Sequence, residues 1–155
     1  MKYMLGFAAL AAVGVLFDAP DVGVSRSRAG VELSADRDRA EVERAVGHYM
    51  DGWMTGNVES LRKAFHPDAK LFSVRNDSLI QLSQTDWYAR FPATPNQASD
   101  GRQIRIVSTE LATTVAQVKV TSSTPRGAFT DYLSLARFGG EWKIVNKTFH
   151  FEPKR

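Results

Sequence analysis

The sequence predicts an α+β fold in which N-terminal helices pack in a strongly curved, mostly antiparallel sheet. Two periodicities and one boundary carry that expectation. Between about residues 36 and 65, apolar side chains recur at three- and four-residue spacing, the signature of amphipathic helix. From Arg102 onward the period is two, in runs rich in β-branched residues. Pro67 separates the helical part from the first strand signals, because it lacks a backbone N–H and restricts the residue before it.

Size and composition agree with one soluble domain. The chain has 155 residues, 43% hydrophobic and 24% charged, enough apolar surface for a cooperative core. The absence of cysteine excludes a disulfide scaffold, a thiolate nucleophile and any Cys-ligated metal. The formal charge is +3, of which Lys2, Arg26 and Arg28 against Asp18 and Asp21 account for +1. The remaining chain is nearly balanced and has no basic block interleaved with aromatics, so nucleic acid is not an expected partner.

Lys2 followed by the uncharged run Tyr3 to Phe17 has the form of an export signal, too short for a comfortable bilayer span. An uncleaved membrane anchor and a buried helix are the alternatives. Ala19-Pro20 and Ala29-Gly30 are the candidate cleavage junctions. Residues 18–34 mix Asp, Pro, Gly, Ser and Arg without a period and read as a tether. Residues 1–30 are accordingly assigned to signal and tether, and 31–155 to the folded domain. That organisation implies a periplasmic or secreted protein, or one tethered by its N-terminus, with no stable membrane embedding of the domain itself.

The first helix is expected from Ser34 or Asp36, with Val42, Ala45, Val46, Tyr49, Met50 and Trp53 on its buried face and Glu41, Arg44 and Asp51 turned away. Gly56 and Asn57 end it. Asn57 caps a second, short helix through Val58, Leu61, Ala64 and Phe65. A strand carrying Ala69, Leu71 and Ser73 follows, then an Asn76-Asp77-Ser78 turn and a partner strand through Leu79, Ile80 and Leu82. Ser83 or Thr85 opens a brief helical segment with Trp87, Tyr88 and Phe91, and Pro92 to Gly101 is a loop. Four antiparallel strands complete the chain. The first two hold Ile104 and Ile106, then Val115, Val118 and Val120, with a break near Thr113. The last two are joined at Gly139-Gly140, a strong hairpin signal. Wrapping such a sheet round the first helix buries both apolar faces and leaves a concavity at the open end.

Four segments carry a family resemblance: Tyr49-Met-Asp-Gly-Trp53-Met-Thr-Gly56, Phe65-His-Pro-Asp-Ala69, Phe129-Thr-Asp-Tyr132 and Gly140-Glu-Trp-Lys-Ile-Val-Asn-Lys147. Over residues 35–153 the chain resembles the NTF2-like superfamily, and within it the group called putative lumazine-binding or SnoaL-like. The resemblance implies a cone-shaped α+β fold and pairing as a homodimer through the outer face of the sheet. The superfamily includes isomerases, cyclases, dehydratases and transport adaptors, so the resemblance does not select one activity.

Several residues are candidates for a site. His66, between helix and strand, is either an acid or base facing the cavity or a local helix-end cap. Asp131 shares a strand face with Phe129, Leu133 and Leu135. A carboxylate there must be paired, with Lys147, Arg105 or a backbone N–H as partner, or else serve in proton transfer. The last strand presents Trp142, Ile144, Asn146, Thr148 and His150 on one face and Lys143, Val145, Lys147, Phe149 and Phe151 on the other. Either face brings a hydrogen-bonding group among apolar neighbours: Asn146 with His150, or Lys147. Tyr49 and Trp53 on the first helix, with Trp87, Tyr88 and Phe91, are core residues or the walls of a site for a flat ligand. The three histidines, His48, His66 and His150, form no metal-binding spacing, and no metal or cofactor is expected.

Three functions remain. The first is a protein binding a small, partly apolar ligand through Tyr49, Trp53, His66, Trp87, Tyr88, Phe91, Asp131, Asn146, Lys147 and His150. The second is a cofactor-independent acid–base enzyme of isomerase or dehydratase type, acting beside a carbonyl with Asp131 or His66 moving the proton. The third is a dimeric structural or partner-binding module with a closed pocket.

Overall fold

The structure is a computed structural model that describes residues 22–92 and 101–155, with side chains from residue 30 onward. The candidate signal run and most of the Pro92–Gly101 loop lie outside these residues. Nine elements follow in order: α1 (Val22–Thr55), α2 (Val58–Ala64), β1 (Phe65–Arg75), β2 (Ser78–Ser83), α3 (Gln84–Tyr88), β3 (Gln103–Ala112), β4 (Val115–Thr124), β5 (Gly127–Phe138) and β6 (Glu141–Pro153).

Helix α1 begins at Val22, inside the stretch read as an aperiodic tether. Residues 30–37 are all exposed, so no apolar face marks this part of the helix. Exposed pairs one turn apart support it, such as Arg37 Nε with Glu41 Oε1 at 3.3 Å. The buried face starts only at Val42 and continues through Ala45, Val46 and Tyr49. Two polar contacts dock the helix on the sheet: Arg137 Nη1 donates to Asp38 Oδ1 at 2.8 Å, and Arg39 Nη1 to the carbonyl of Thr109 at 3.1 Å. Asn57 caps α2, its Oδ1 accepting from the backbone N–H of Glu59 and Ser60. Ser83 does the same for α3 through the N–H of Asp86. Among the described residues, no helix is long and apolar enough to cross a membrane.

The six strands form one mixed sheet in the order β2-β1-β6-β5-β4-β3. Neighbours are antiparallel except β1 and β6, which run parallel. The strongly curved sheet wrapped round the first helix does not form. The sheet is open, and β2 and β3 stand at its two ends rather than approaching each other. The cone expected from the family resemblance is corrected with it. The physical reason is the small apolar demand of α1. Its buried stripe covers little more than Val42 to Tyr49, while Leu61 and Ala64 of α2 and Tyr88 of α3 cover other parts of the sheet face. Three short patches of helix can be buried on an open sheet without closure.

Two bulges decide which side chains face the core. In β6, Asn146 pairs with Ser134 but Ile144 pairs with Leu135, so Val145 is an extra residue. Trp142 and Ile144 are buried before the bulge and Lys147 after it. The two faces expected of a regular strand therefore both contribute to the interior. In β3 the same device at Val107 turns Ile104 and Ile106, then Thr109 and Leu111, toward the same side.

Hairpin turns hold the meander in register. Asn76 and Asp77 both take left-handed angles, φ 49° and 58°, in the two-residue β1–β2 turn. Gly127, at the start of β5, has φ 153°, and a Cβ there would fall 2.2 Å from the carbonyl oxygen of Glu152 and 2.8 Å from the Phe151 ring. Gly127→Ala is expected to lower stability by about 1–3 kcal/mol through this strain. Urea unfolding would measure the loss; an unchanged midpoint would show that β6 yields without strain.

Candidate functional site

The interior face of β5 and β6 places a carboxylate and an ammonium side by side. Asp131 pairs across the ladder with Phe149 and Leu133 with Lys147, so Asp131 and Lys147 are diagonal neighbours on one face. Tyr49 of α1 enters between them. Its hydroxyl donates to Asp131 Oδ2, Lys147 Nζ donates to Tyr49 Oη at 2.7 Å, and Nζ forms an ion pair with Asp131 Oδ2 at 3.1 Å. Tyr49 and Asp131 are fully buried and Lys147 is 4% exposed. The Oδ1 atom of Asp131 has no hydrogen-bond partner among the described residues.

Burial sets the protonation of this trio. Tyr49 is held well above the ordinary phenol range, first by desolvation and then by the Asp131 charge and hydrogen bond. Desolvation lowers the Lys147 ammonium below the ordinary lysine value, and the Asp131 carboxylate opposes that fall. The ammonium is also boxed by rings, 4.7 Å from the centroid of Tyr49, 5.2 Å from Phe149 and 5.3 Å from Trp87.

Lys147 opens onto a cavity of about 740 Å³. Trp53 of α1, Trp87 of α3, Phe91 just beyond it, Phe129 of β5, and Phe149 and Phe151 of β6 supply its aromatic wall. These rings touch one another, with Phe129 and Phe151 centroids 4.6 Å apart and Trp87 and Phe91 5.3 Å apart. Arg75, Arg90 and Arg126 also line it, and among the described residues no Asp or Glu does. A second depression of about 560 Å³ adjoins it through Trp53, Arg90, Phe91, Thr124, Arg126 and Phe129. Arg102 lines that depression and lies with its guanidinium 5.4 Å from the Trp53 ring centre.

The other sequence candidates fall elsewhere. His66 lies off this cavity: its Nδ1 accepts from the backbone N–H of Asp68 at 3.2 Å and its ring stacks on Phe138 at 4.8 Å. The His66 carbonyl accepts from Gln84 Nε2, and Gln84 Oε1 accepts from the Tyr88 hydroxyl at 2.6 Å. Tyr88 is buried behind the wall under Arg62, and its pKa is pushed up to about 12, chiefly by burial. The β6 bulge turns Asn146 away from the interior, where it accepts from Thr148 Oγ1 at 3.2 Å, and leaves His150 exposed. Asp131 takes Lys147 as partner, and Arg105 is exposed on β3. Among the described residues, no group of three or more His, Asp and Glu converges as a metal site would require.

Sequence reasoning did not single out Phe129, Phe149, Phe151, Arg75, Arg90 or Arg126 for the site. A signal existed for the first three, since Phe129 shares a face with Asp131, and Phe149 and Phe151 share one with Lys147. The arginines gave none, because each stands at a turn or helix end where a solvated charge is the ordinary expectation.

The fold matches those of solved NTF2-like proteins. An NTF2-like protein from Shewanella baltica matches with a TM-score of 0.69 and 20% identity, over 76% of this chain and 96% of that one. Another from Methylobacillus flagellatus matches with a TM-score of 0.63 and 28% identity, over 75% and 93%. The chain belongs to the family described as "Putative lumazine-binding", whose profile matches residues 37–150. It is also 21% identical over 106 residues to Aldolase FrzH of a Cladobotryum species, covering 68% of this chain and 85% of that protein.

Proposed function

We propose that the protein binds a small, flat, partly apolar ligand carrying at least one acidic oxygen. The observation that carries this reading is the charge of the cavity wall, where Lys147, Arg75, Arg90 and Arg126 stand among six aromatic rings, with no lining carboxylate among the described residues. Aromatic faces take a planar ring system, and the cations select an anion among ligands of one shape. Lys147 is the strongest anchor because its ammonium is desolvated, whereas the exposed arginines steer and hold more weakly.

Calorimetric titration with naphthoate and its uncharged twin naphthamide tests this directly. Naphthoate is expected to bind at least about tenfold more tightly, the effect of one charge-assisted hydrogen bond. Equal affinities would remove the charge from the argument. The pH dependence has a defined sign. Naphthoate stays ionised, so its affinity is retained while Lys147 is protonated and is lost as pH rises through the lysine pKa, which lies below the ordinary 10.5.

A cofactor-independent enzyme acting beside a carbonyl is the second reading. It is favoured by the Tyr49–Asp131–Lys147 network, which reaches the cavity through Lys147. Perturbed, mutually hydrogen-bonded acids and bases at a cleft are the groups that proton transfer requires. Similarity to a protein named as an aldolase supports carbonyl chemistry as the class to test.

A further inference from the structure

Resting on the reading that the cavity holds a ligand, we infer that Lys147 is a nucleophile forming an imine with a carbonyl carbon of a flat, acidic aldehyde or ketone. The geometry supplies each part such a step needs. Lys147 lines the cavity while the residue as a whole is only 4% exposed, so the cavity is the side from which a carbonyl would approach it. On the other side, Asp131 Oδ2 lies 3.1 Å from Nζ and can take its proton, and Oδ1 is a second buried acceptor without a partner. Tyr49 Oη, hydrogen-bonded to both groups, links the amine and the carboxylate. Desolvation by burial favours the neutral amine, the form that attacks. The exposed arginines on the same wall suit an acidic group on the far end of the substrate.

The chemistry balances without a co-reactant. The Lys147 ammonium gives one proton to the Asp131 carboxylate, and its lone pair then forms a C–N bond to the carbonyl carbon. The carbonyl π electrons move to oxygen, which takes a proton from the new ammonium and gives a neutral carbinolamine. The Asp131 proton passes to that hydroxyl, the C–O bond breaks, and water leaves. The nitrogen lone pair closes the C=N bond, leaving an iminium beside the restored carboxylate. Asp131 thus holds the proton before attack and the counter-charge after it.

The test uses formylnaphthoate with cyanoborohydride, followed by peptide mapping of the full chain. Reduced adduct is expected to form faster at Lys147 than at exposed Lys63 or Lys70, because desolvation lowers the Lys147 ammonium toward its free-amine form. Hydroxymethylnaphthoate, which has no electrophilic carbon, should compete at Lys147 and leave Lys63 and Lys70 labelled. Lys147→Arg, which keeps a cation beside Asp131, should lose the adduct at that position. Adduct confined to exposed lysines while hydroxymethylnaphthoate still binds by calorimetry would overturn the imine and leave the binding reading standing. Absence of both adduct and binding would overturn the two together.

Discussion

Asp131→Asn is expected to lower the unfolding free energy by about 3–5 kcal/mol at neutral pH, the range for removing one partner of a buried ion pair. The substitution preserves shape, removes the charge that opposes desolvation of Lys147 and replaces one carboxylate oxygen with an NH2 donor. The variant can escape by releasing the lysine proton, which for an ordinary lysine requires roughly 4–5 kcal/mol at pH 7, so the two routes have similar limits. The pH dependence identifies the mechanism. With the folded pKa of Lys147 depressed further, the unfolded chain binds more protons between that pKa and the unfolded value near 10.4. Stability of the variant relative to the native protein should therefore rise with pH between the variant's folded Lys147 pKa and the native one, which itself lies below the ordinary lysine value. The absolute stability of both proteins should fall above about pH 10, because unfolded tyrosine ionises there while the raised folded pKa keeps the buried Tyr49 hydroxyl protonated, a term shared by the two chains. Urea unfolding at several pH values measures both effects; a constant deficit with pH would show that the loss is packing rather than charge.

Replacing the whole trio should separate function from stability. Tyr49→Phe, Asp131→Leu and Lys147→Met together leave no buried charge and no orphaned hydroxyl. Exchange of a buried ionic group for apolar residues of similar volume is commonly neutral or stabilising by about 1–4 kcal/mol. The triple variant should stay within about 2 kcal/mol of the native protein while naphthoate affinity falls by roughly 10- to 100-fold, the contribution of a hydrogen bond to a charged group. If the triple variant were as unstable as Asp131→Asn, the trio would be a structural requirement of the sheet. Retained naphthoate binding would place the anion on the arginines instead.

The elements were largely legible because each is encoded locally. Asn57 and Ser83 cap the helices they were expected to cap or open, and the Asn76-Asp77 and Gly139-Gly140 turns join their strands as expected. The start of α1 was not legible, since a helical stretch whose described residues are all exposed has no apolar period to read. Within the site, Tyr49, Trp53, Trp87, Phe91, Asp131 and Lys147 were named from sequence, each as one of two open readings. Phe149 and Phe151 stood beside Lys147 on a face that could not be chosen.

From its residues alone the chain reveals the order of helices and strands, an α+β architecture and a carboxylate that must find a partner. Those follow from periodicity, turn chemistry and the penalty of burying an unpaired charge, all of which act over a few residues. Tertiary structure decided that the sheet stays open, that β1 joins parallel to β6, and that Lys147 is the partner. It also decided, through one extra residue at Val145, that Trp142 and Ile144 share the interior with Lys147. A bulge shifts every later side chain in its strand to the opposite face, and its position is set by pairing with residues far away in sequence. The placement of Lys147 against an aromatic cavity is the product of that shift.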